Sequence, residues 1–334
     1  MKNTTNSIGY VSDEPLPHLQ QQTSGLRLTK RLFVLFLLLL NQSIFGQIKP
    51  IEVSYVQNPT NNETTFQYRN SGYCDYALQI EFVNLRGGDC GCVLPFVESV
   101  GTGGGNLFTL KPTQANQGIS FGFGYKYQKG RLLTKPPQTL VYLLPFSVGR
   151  AHRAIQTQNM MELIGGQKIV NFYGIAFEMQ RGDTVFAARR GVVNEVKNQF
   201  EKHSDNVWFS SQTNDVEVFH QDGTFGKYNR FKKGTIVVQE GQTVEAGQAL
   251  GIVADDAFEN TTVVQFTVYY LAKSKAFKDN NYPFEYVKPS FCTQDNPAGA
   301  VLQQNAAYQS QWPEAVITQE MSKRALKKWK SRSN

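Results

Sequence analysis

Histidine is scarce in this sequence: His18, His152, His203 and His220 are the whole supply among 334 residues. No His-x-His pair exists, and no two histidines stand at ligand spacing on one strand, which removes the commonest nitrogen ligands for a metal. Cysteine is as rare, at four residues, and no histidine lies near the Cys90-Gly-Cys92 pair or Cys74, so a thiolate metal site is not expected. Long apolar runs are missing beyond residue 40, which leaves no membrane-spanning segment in the rest of the chain. Acid is missing from residues 322–334, which hold Lys323, Arg324, Lys327, Lys328, Lys330 and Arg332 without one Asp or Glu. The formal charge of +7 is partly this terminal cluster. It predicts a solvated, basic helical tail over 313–334, able to attract anionic envelope polymers or lipid headgroups, and no nucleic-acid partner.

What is present points to a β-rich, two-domain protein. A chain of 334 residues exceeds the roughly 100–200 residues of one ordinary core. Glycines and aromatics are plentiful while helically periodic apolar runs are few. Lys30 and Arg31 precede an unbroken apolar run over 32–40, followed by a polar stretch and Gly46. That order predicts a signal peptide over 1–46 and a protein secreted to the periplasm or beyond the cell, soluble after signal removal. In such an oxidising compartment Cys74, Cys90, Cys92 and Cys292 can form disulfides in any of three pairings. Strain in the tight Cys90/Cys92 pair favours Cys74 bonded to one of them, with the other left for Cys292 or free.

Short alternating strands with Asn, Gly and Pro punctuation run from 47 to 140 and predict an immunoglobulin-like β-sandwich. Gly101-Thr-Gly-Gly-Gly-Asn reads as a flexible loop between them. Consecutive prolines at Pro136 and Pro137 mark a boundary. A second β-domain is expected over 141–288, with strands at Thr184, Gly191, Val216, Thr235, Ala249 and Val263, then a closing hairpin over 289–312. Within it, Val238-Gln-Glu-Gly-Gln-Thr-Val-Glu-Ala-Gly-Gln-Ala-Leu-Gly repeats a valine, turn, Gly-Gln unit twice.

Four segments occur in a telling order: Tyr142-Leu-Leu-Pro-Phe-Ser-Val-Gly-Arg-Ala-His, Gly182-Asp-Thr-Val-Phe-Ala-Ala-Arg-Arg-Gly-Val-Val, His220-Gln-Asp-Gly-Thr-Phe-Gly-Lys-Tyr, and the Gly-Gln repeat. Together they resemble the lysostaphin-type zinc endopeptidases, murein hydrolases with a duplicated hybrid motif. The resemblance implies a hybrid-motif β-sheet or barrel and, in active members, a zinc ion that lowers the pKa of bound water to ~7 for attack on an amide. Position by position, the early zinc histidine falls on Gln167, the zinc aspartate on Ala176, a catalytic histidine on Asn229, and the His-x-His strand on Val263 and Gln265. Valine and alanine offer zinc no lone pair, and neutral amides are poor ligands beside imidazole or carboxylate. The resemblance therefore implies no catalytic, metal-ligating or cofactor-binding residue, with zinc lost.

Glu178, two residues from Ala176 on the same strand face, lines the old cleft. His152 and His220 read as packing or hydrogen-bonding residues, His220 stabilising its hairpin, and His203 as exposed. The expected function is a catalytically inactive homologue that binds peptidoglycan peptides or an envelope protein. The alternatives are an active endopeptidase with a relocated site and a covalent carrier domain, for which Lys227, Lys232 and Lys233 lack the customary neighbours.

Overall fold

The computed structural model describes residues 49–115, 117–136, 140–157, 169, 171–201, 213–255, 262–278 and 282–333. The expected signal peptide, Gln167 and His203 lie outside the described residues. The fold is nearly all β. Strands β1 (Ile51–Gln57), β2 (Thr64–Asn70), β6 (Gly103–Pro112) and β4 (Gly88–Asp89) form one sheet in the order β1-β2-β6-β4. Strands β5 (Phe96–Val100), β3 (Tyr76–Arg86) and β7 (Ser120–Lys129) form a second, β5-β3-β7.

The two sheets stack as a sandwich because alternate residues of their inner faces are apolar. Phe66 on β2 meets Phe82 on β3 and Phe121 and Phe123 on β7, each ring pair at 5.1–5.5 Å. The glycines at 103–105 are not a loop. They pair with Asn70, Arg69 and Tyr68 of β2, and a Cβ on Gly105 would come within 3.0 Å of the Tyr68 ring, so a strand with no side chain fits where a larger residue would not.

The remainder is built on a large antiparallel sheet. Its order is β15 (Thr243–Val244), β12 (Gly191–Lys197), β13 (Asp215–Phe219), β14 (Phe225–Asn229), β17 (Thr262–Leu271), β10 (Gly174–Met179), β9 (Ala151–Thr157) and β20 (Ala307–Gln309), with β18 (Phe284–Val287) also on β17. One face packs a core that includes Ile175, Phe177, Val216, Val218, Tyr228, Val264, Phe266 and Val268. β11 (Thr184–Phe186) pairs with β16 (Ala249–Ile252) across that core.

The repeated Gly-Gln unit is two copies of one turn. The amides of Gln242 and Gln248 donate to the carbonyls of Gln239 and Glu245 at 3.1 and 3.0 Å, and each glutamine side-chain oxygen accepts the amide at the start of its own turn at 3.2 Å. Gly241 and Gly247 sit at φ of 80° and 81°, the left-handed position such turns reserve for glycine. Both then donate to the facing carbonyls of Val193 and Ala187 at 2.8 Å, which is how the repeat is tied to the sheet.

Two expectations fail here. Thr235–Val238 is not a strand, although the Val237 amide still donates to Leu250 at 2.9 Å. The expected closing hairpin is not one either: β19 (Ser290–Cys292) runs parallel to β8 (Val141–Leu143), and β20 pairs with β9. β20 extends the large sheet at its β9 edge, β19 and β8 form a two-stranded sheet of their own, and only single bridges, Phe291 to Ala300 and Thr293 to Ser310, join the segment to itself. The basic tail is helical, as α1 (Glu314–Thr318) and α2 (Lys323–Ser333).

The cysteines pair differently from the expectation. Cys90 bonds to Cys92, and Cys74 and Cys292 are buried free thiols. Gly91 between the pair turns at φ 61°, which brings their Cα atoms to 5.1 Å, ordinary spacing for a disulfide, while Cys74 is sealed inside another cluster.

Candidate functional site

The face of the large sheet opposite the core is polar, and strand register sets its residues in lateral rows. In the central row Lys197 of β12 faces Asp215 of β13, which faces Asn229 of β14, then Gln265 of β17, Ala176 of β10 and Ile155 of β9. Antiparallel partners directly opposite lie close enough to act on one group. Three of the positions the sequence singled out, Ala176, Asn229 and Gln265, are thus immediate neighbours on three adjacent strands. Val263 sits in the next row, opposite Glu178.

Glu178 reaches the rim rather than the centre. Arg153 on β9 holds it bidentately, one bond at 2.8 Å and a second from the guanidinium Nη2, so its charge is already answered. The buried carboxylate of the floor is Asp215, 2% exposed, whose Oδ2 meets Lys227 at 3.4 Å and Lys197 at 3.5 Å. Burial pushes its pKa up against the pull of the two lysines. Asp215 Oδ1 and Asn229 Oδ1, on facing residues, find no hydrogen-bond partner among the described residues. Asp215, Lys197 and Lys227 were not foreseen in this role; the charged residues alternating along 215–229 were the signal.

Two rows further on, toward Phe219, the face is covered. Phe219, Phe225 and Tyr269 pack with Cys74 and, partly buried, Tyr76 from the sandwich. Between the rows Glu217, 1% exposed, accepts from Lys129 at 2.7 Å, from Asn194 at 2.8 Å and from the Tyr269 hydroxyl. Burial alone would lower the Lys129 pKa, but the Glu217 carboxylate beside it holds it above the usual lysine value. The sandwich therefore closes one end of the polar face and leaves the Asn229–Gln265–Ala176 row beyond its edge.

The described histidines, His152 and His220, are elsewhere. His220 is wholly buried, its Nδ1 donating to the Arg190 carbonyl at 2.8 Å. Gly191 and Gly226 make room for it: a Cβ on either would come within 3.0 or 2.8 Å of the ring. His152 packs edge-on against Phe146 at 4.6 Å, with Asp183 3.6 Å from its Nε2; burial lowers its pKa more than Asp183 raises it. Among the described residues no group of three or more His, Cys, Asp or Glu side chains is placed to hold a metal ion.

The frame around this row is the glycine-turned strand, the Gly-Gln repeat and the β17 strand, and residues 171–278 match the family model for peptidase family M23. The chain carries a peptidase family M23 domain. Among solved structures, it is similar to Helicobacter pylori Csd3, at 9% identity over 84% of this chain and 83% of that one with a TM-score of 0.29. It is also similar to a zinc containing peptidase from Vibrio cholerae, at 12% identity over 66% of this chain and 83% of that one with a TM-score of 0.26. Superpositions this loose say nothing of the site. No curated protein matches the sequence.

Active lysostaphin-type members hold zinc, and the donors of this M23 site do not fit it. Ala176 presents a methyl group, Val263 two methyls, and Asn229 and Gln265 neutral amides, so no anionic or imidazole donor stands at the matched positions. Of the carboxylates on this face, Glu178, opposite Val263, pairs with Arg153, and Asp215, opposite Asn229, pairs through its Oδ2 with Lys197 and Lys227. What the row can do is hydrogen-bond: the two amides together offer donors and acceptors of the kind a peptide backbone uses.

Proposed function

We propose that this protein is a secreted, catalytically inactive M23 homologue that serves as a binding or regulatory module in the cell envelope, holding peptidoglycan peptides or an envelope protein in the former cleft. One observation carries the reading. Strand register keeps Asn229, Gln265 and Ala176 side by side, and at each of these positions, where the family resemblance implies a metal or acid-base residue, this chain has an amide or a methyl. Zinc has no part in the proposal, because the donor set does not fit it.

The side-chain amides of Asn229 and Gln265, on two half-buried neighbouring residues, support a ligand rich in backbone N–H and C=O groups, which a peptide supplies. Co-sedimentation of the purified mature protein with isolated peptidoglycan sacculi tests the reading. Binding should survive chelator, elemental analysis should find no stoichiometric zinc, and the double variant N229A/Q265A should weaken binding about tenfold, the worth of two modest hydrogen bonds. One tightly held zinc per chain, or muropeptide release that chelator abolishes, would overturn it.

A further inference from the structure

We infer that the Cys90–Cys92 disulfide is a thiol–disulfide exchange site for extended polypeptide segments carrying two cysteines. The bond spans a sequence separation of 2, and a link closing so short a loop removes little freedom from the unfolded chain. Neither cysteine belongs to the apolar cluster of the sandwich, which rests on Ile51, Leu78, Ile80, Val100 and their aromatic neighbours. A structural staple would be placed where it restrains more. The pair sits instead on the connection between the sandwich's two sheets, from β4 to β5, with Gly91, the residue between the two cysteines in the chain, exposed.

Local chemistry distinguishes the two sulfurs. The Cys92 amide donates to Cys90 Sγ at 3.2 Å, so negative charge left on Cys90 is stabilised by a hydrogen bond already in place. Cys90 is therefore the leaving sulfur and Cys92 the one attacked. The surroundings suit an extended apolar client. Val93, Leu94 and Val97 are 85%, 42% and 44% exposed, and β5, which carries Val97, is the outer strand of its sheet with an edge open to another strand.

The exchange balances as follows. A client thiolate attacks Cys92 Sγ, the Cys90–Cys92 bond breaks, and a client–Cys92 mixed disulfide forms as Cys90 departs as thiolate. The second client thiolate attacks the client sulfur of that mixed disulfide and releases Cys92. Two electrons and two protons pass from the client dithiol, which becomes a disulfide, to Cys90 and Cys92, which become thiols. A small-molecule disulfide restores the pair and leaves as two thiols.

The test uses the full mature chain in its oxidised form, mixed without oxygen with an excess of a reduced two-cysteine peptide flanked by apolar residues. Thiols are alkylated at intervals and mapped by mass spectrometry. Peptide disulfide should appear in step with two new thiols, at Cys90 and Cys92, at least about tenfold faster than with a charged peptide of the same cysteine spacing. Cys90→Ser, given the oxidised peptide, should trap a mixed disulfide at Cys92. Wild-type protein whose Cys90–Cys92 bond stays closed under excess peptide, or opens no faster with the apolar peptide than with the charged one, would overturn the inference whatever the variant does.

Discussion

His220 shows how a residue type associated with metal binding is used here as packing. Burial and the neighbouring Arg189 guanidinium push its pKa down to about 3, so the ring is neutral at physiological pH. The unfolded chain titrates near ~6.5, so below that value it binds the proton the folded state refuses. The stabilisation is complete above about pH 6.5 and is lost toward pH 3 at up to about 1.4 kcal/mol per pH unit. Urea unfolding of the wild type should show this fall, and His220→Gln should flatten it. A profile in the wild type without slope between those limits would contradict the buried neutral imidazole. Ala176 gives the complementary case. It is buried between Gln265 and Ile155, so Ala176→Asp places a carboxylate without a cation among them. The variant should lose about 2 kcal/mol of stability and take up no zinc, read by urea melts and elemental analysis.

At the scale of elements, the basic tail is docked by two of the four residues between its helices. Gln319 bonds both the amide and the carbonyl of Val141 at the start of β8, at 3.2 and 2.7 Å, and Glu320 holds Arg189 bidentately, both bonds at 2.7 Å. Arg189 is 1% exposed and also reaches Asp222 at 2.8 Å and the Tyr142 hydroxyl at 3.0 Å, so one buried guanidinium joins the hairpin turn, the strand and the tail. Removing one partner of such a cluster leaves buried charge unanswered. Arg189→Met should cost about 3–5 kcal/mol. Glu320→Ala should release the tail, seen as faster amide exchange over 314–333 with the large sheet still protected. The cationic side chains Lys323, Arg324, Lys327 and Lys328 of α2 lie on the solvent side, while Ala325, Leu326 and Trp329 are half-buried.

For the whole molecule, the contact between sandwich and large sheet decides how much of the polar face is open. It combines an apolar patch, Cys74 and Tyr76 on Phe219, Phe225 and Tyr269, with the Lys129–Glu217 pair. Lys129→Ala should lower stability by about 3 kcal/mol, because Glu217 then stays buried with only neutral donors. Burial pushes the Cys74 thiol up to about 12, so native protein should leave Cys74 unlabelled by a thiol reagent that labels it in urea. Rapid labelling in the folded state would mean that the two parts separate in solution.

Much of this was legible in the sequence, because strand periodicity, turn glycines and the Gly-Gln repeat are local. The neighbours of Ala176 along its strand, the x-Gly-Gln turns and the apolar alternation of β17 each follow from a few consecutive residues, and the scarcity of histidine holds in any alignment. What the tertiary structure alone decided is what lies across strands and between domains. Register placed Asn229, Gln265 and Ala176 in one row with Asp215 behind them, although 89 residues separate the last two of that row in the chain. The tertiary structure also gave Glu178 to Arg153, sealed Cys74 away from Cys90 and Cys92, and paired β20 with β9 and β19 with β8 in place of the expected closing hairpin. Those choices depend on which partners are nearest after the chain has collapsed, a quantity that no local run of residues encodes.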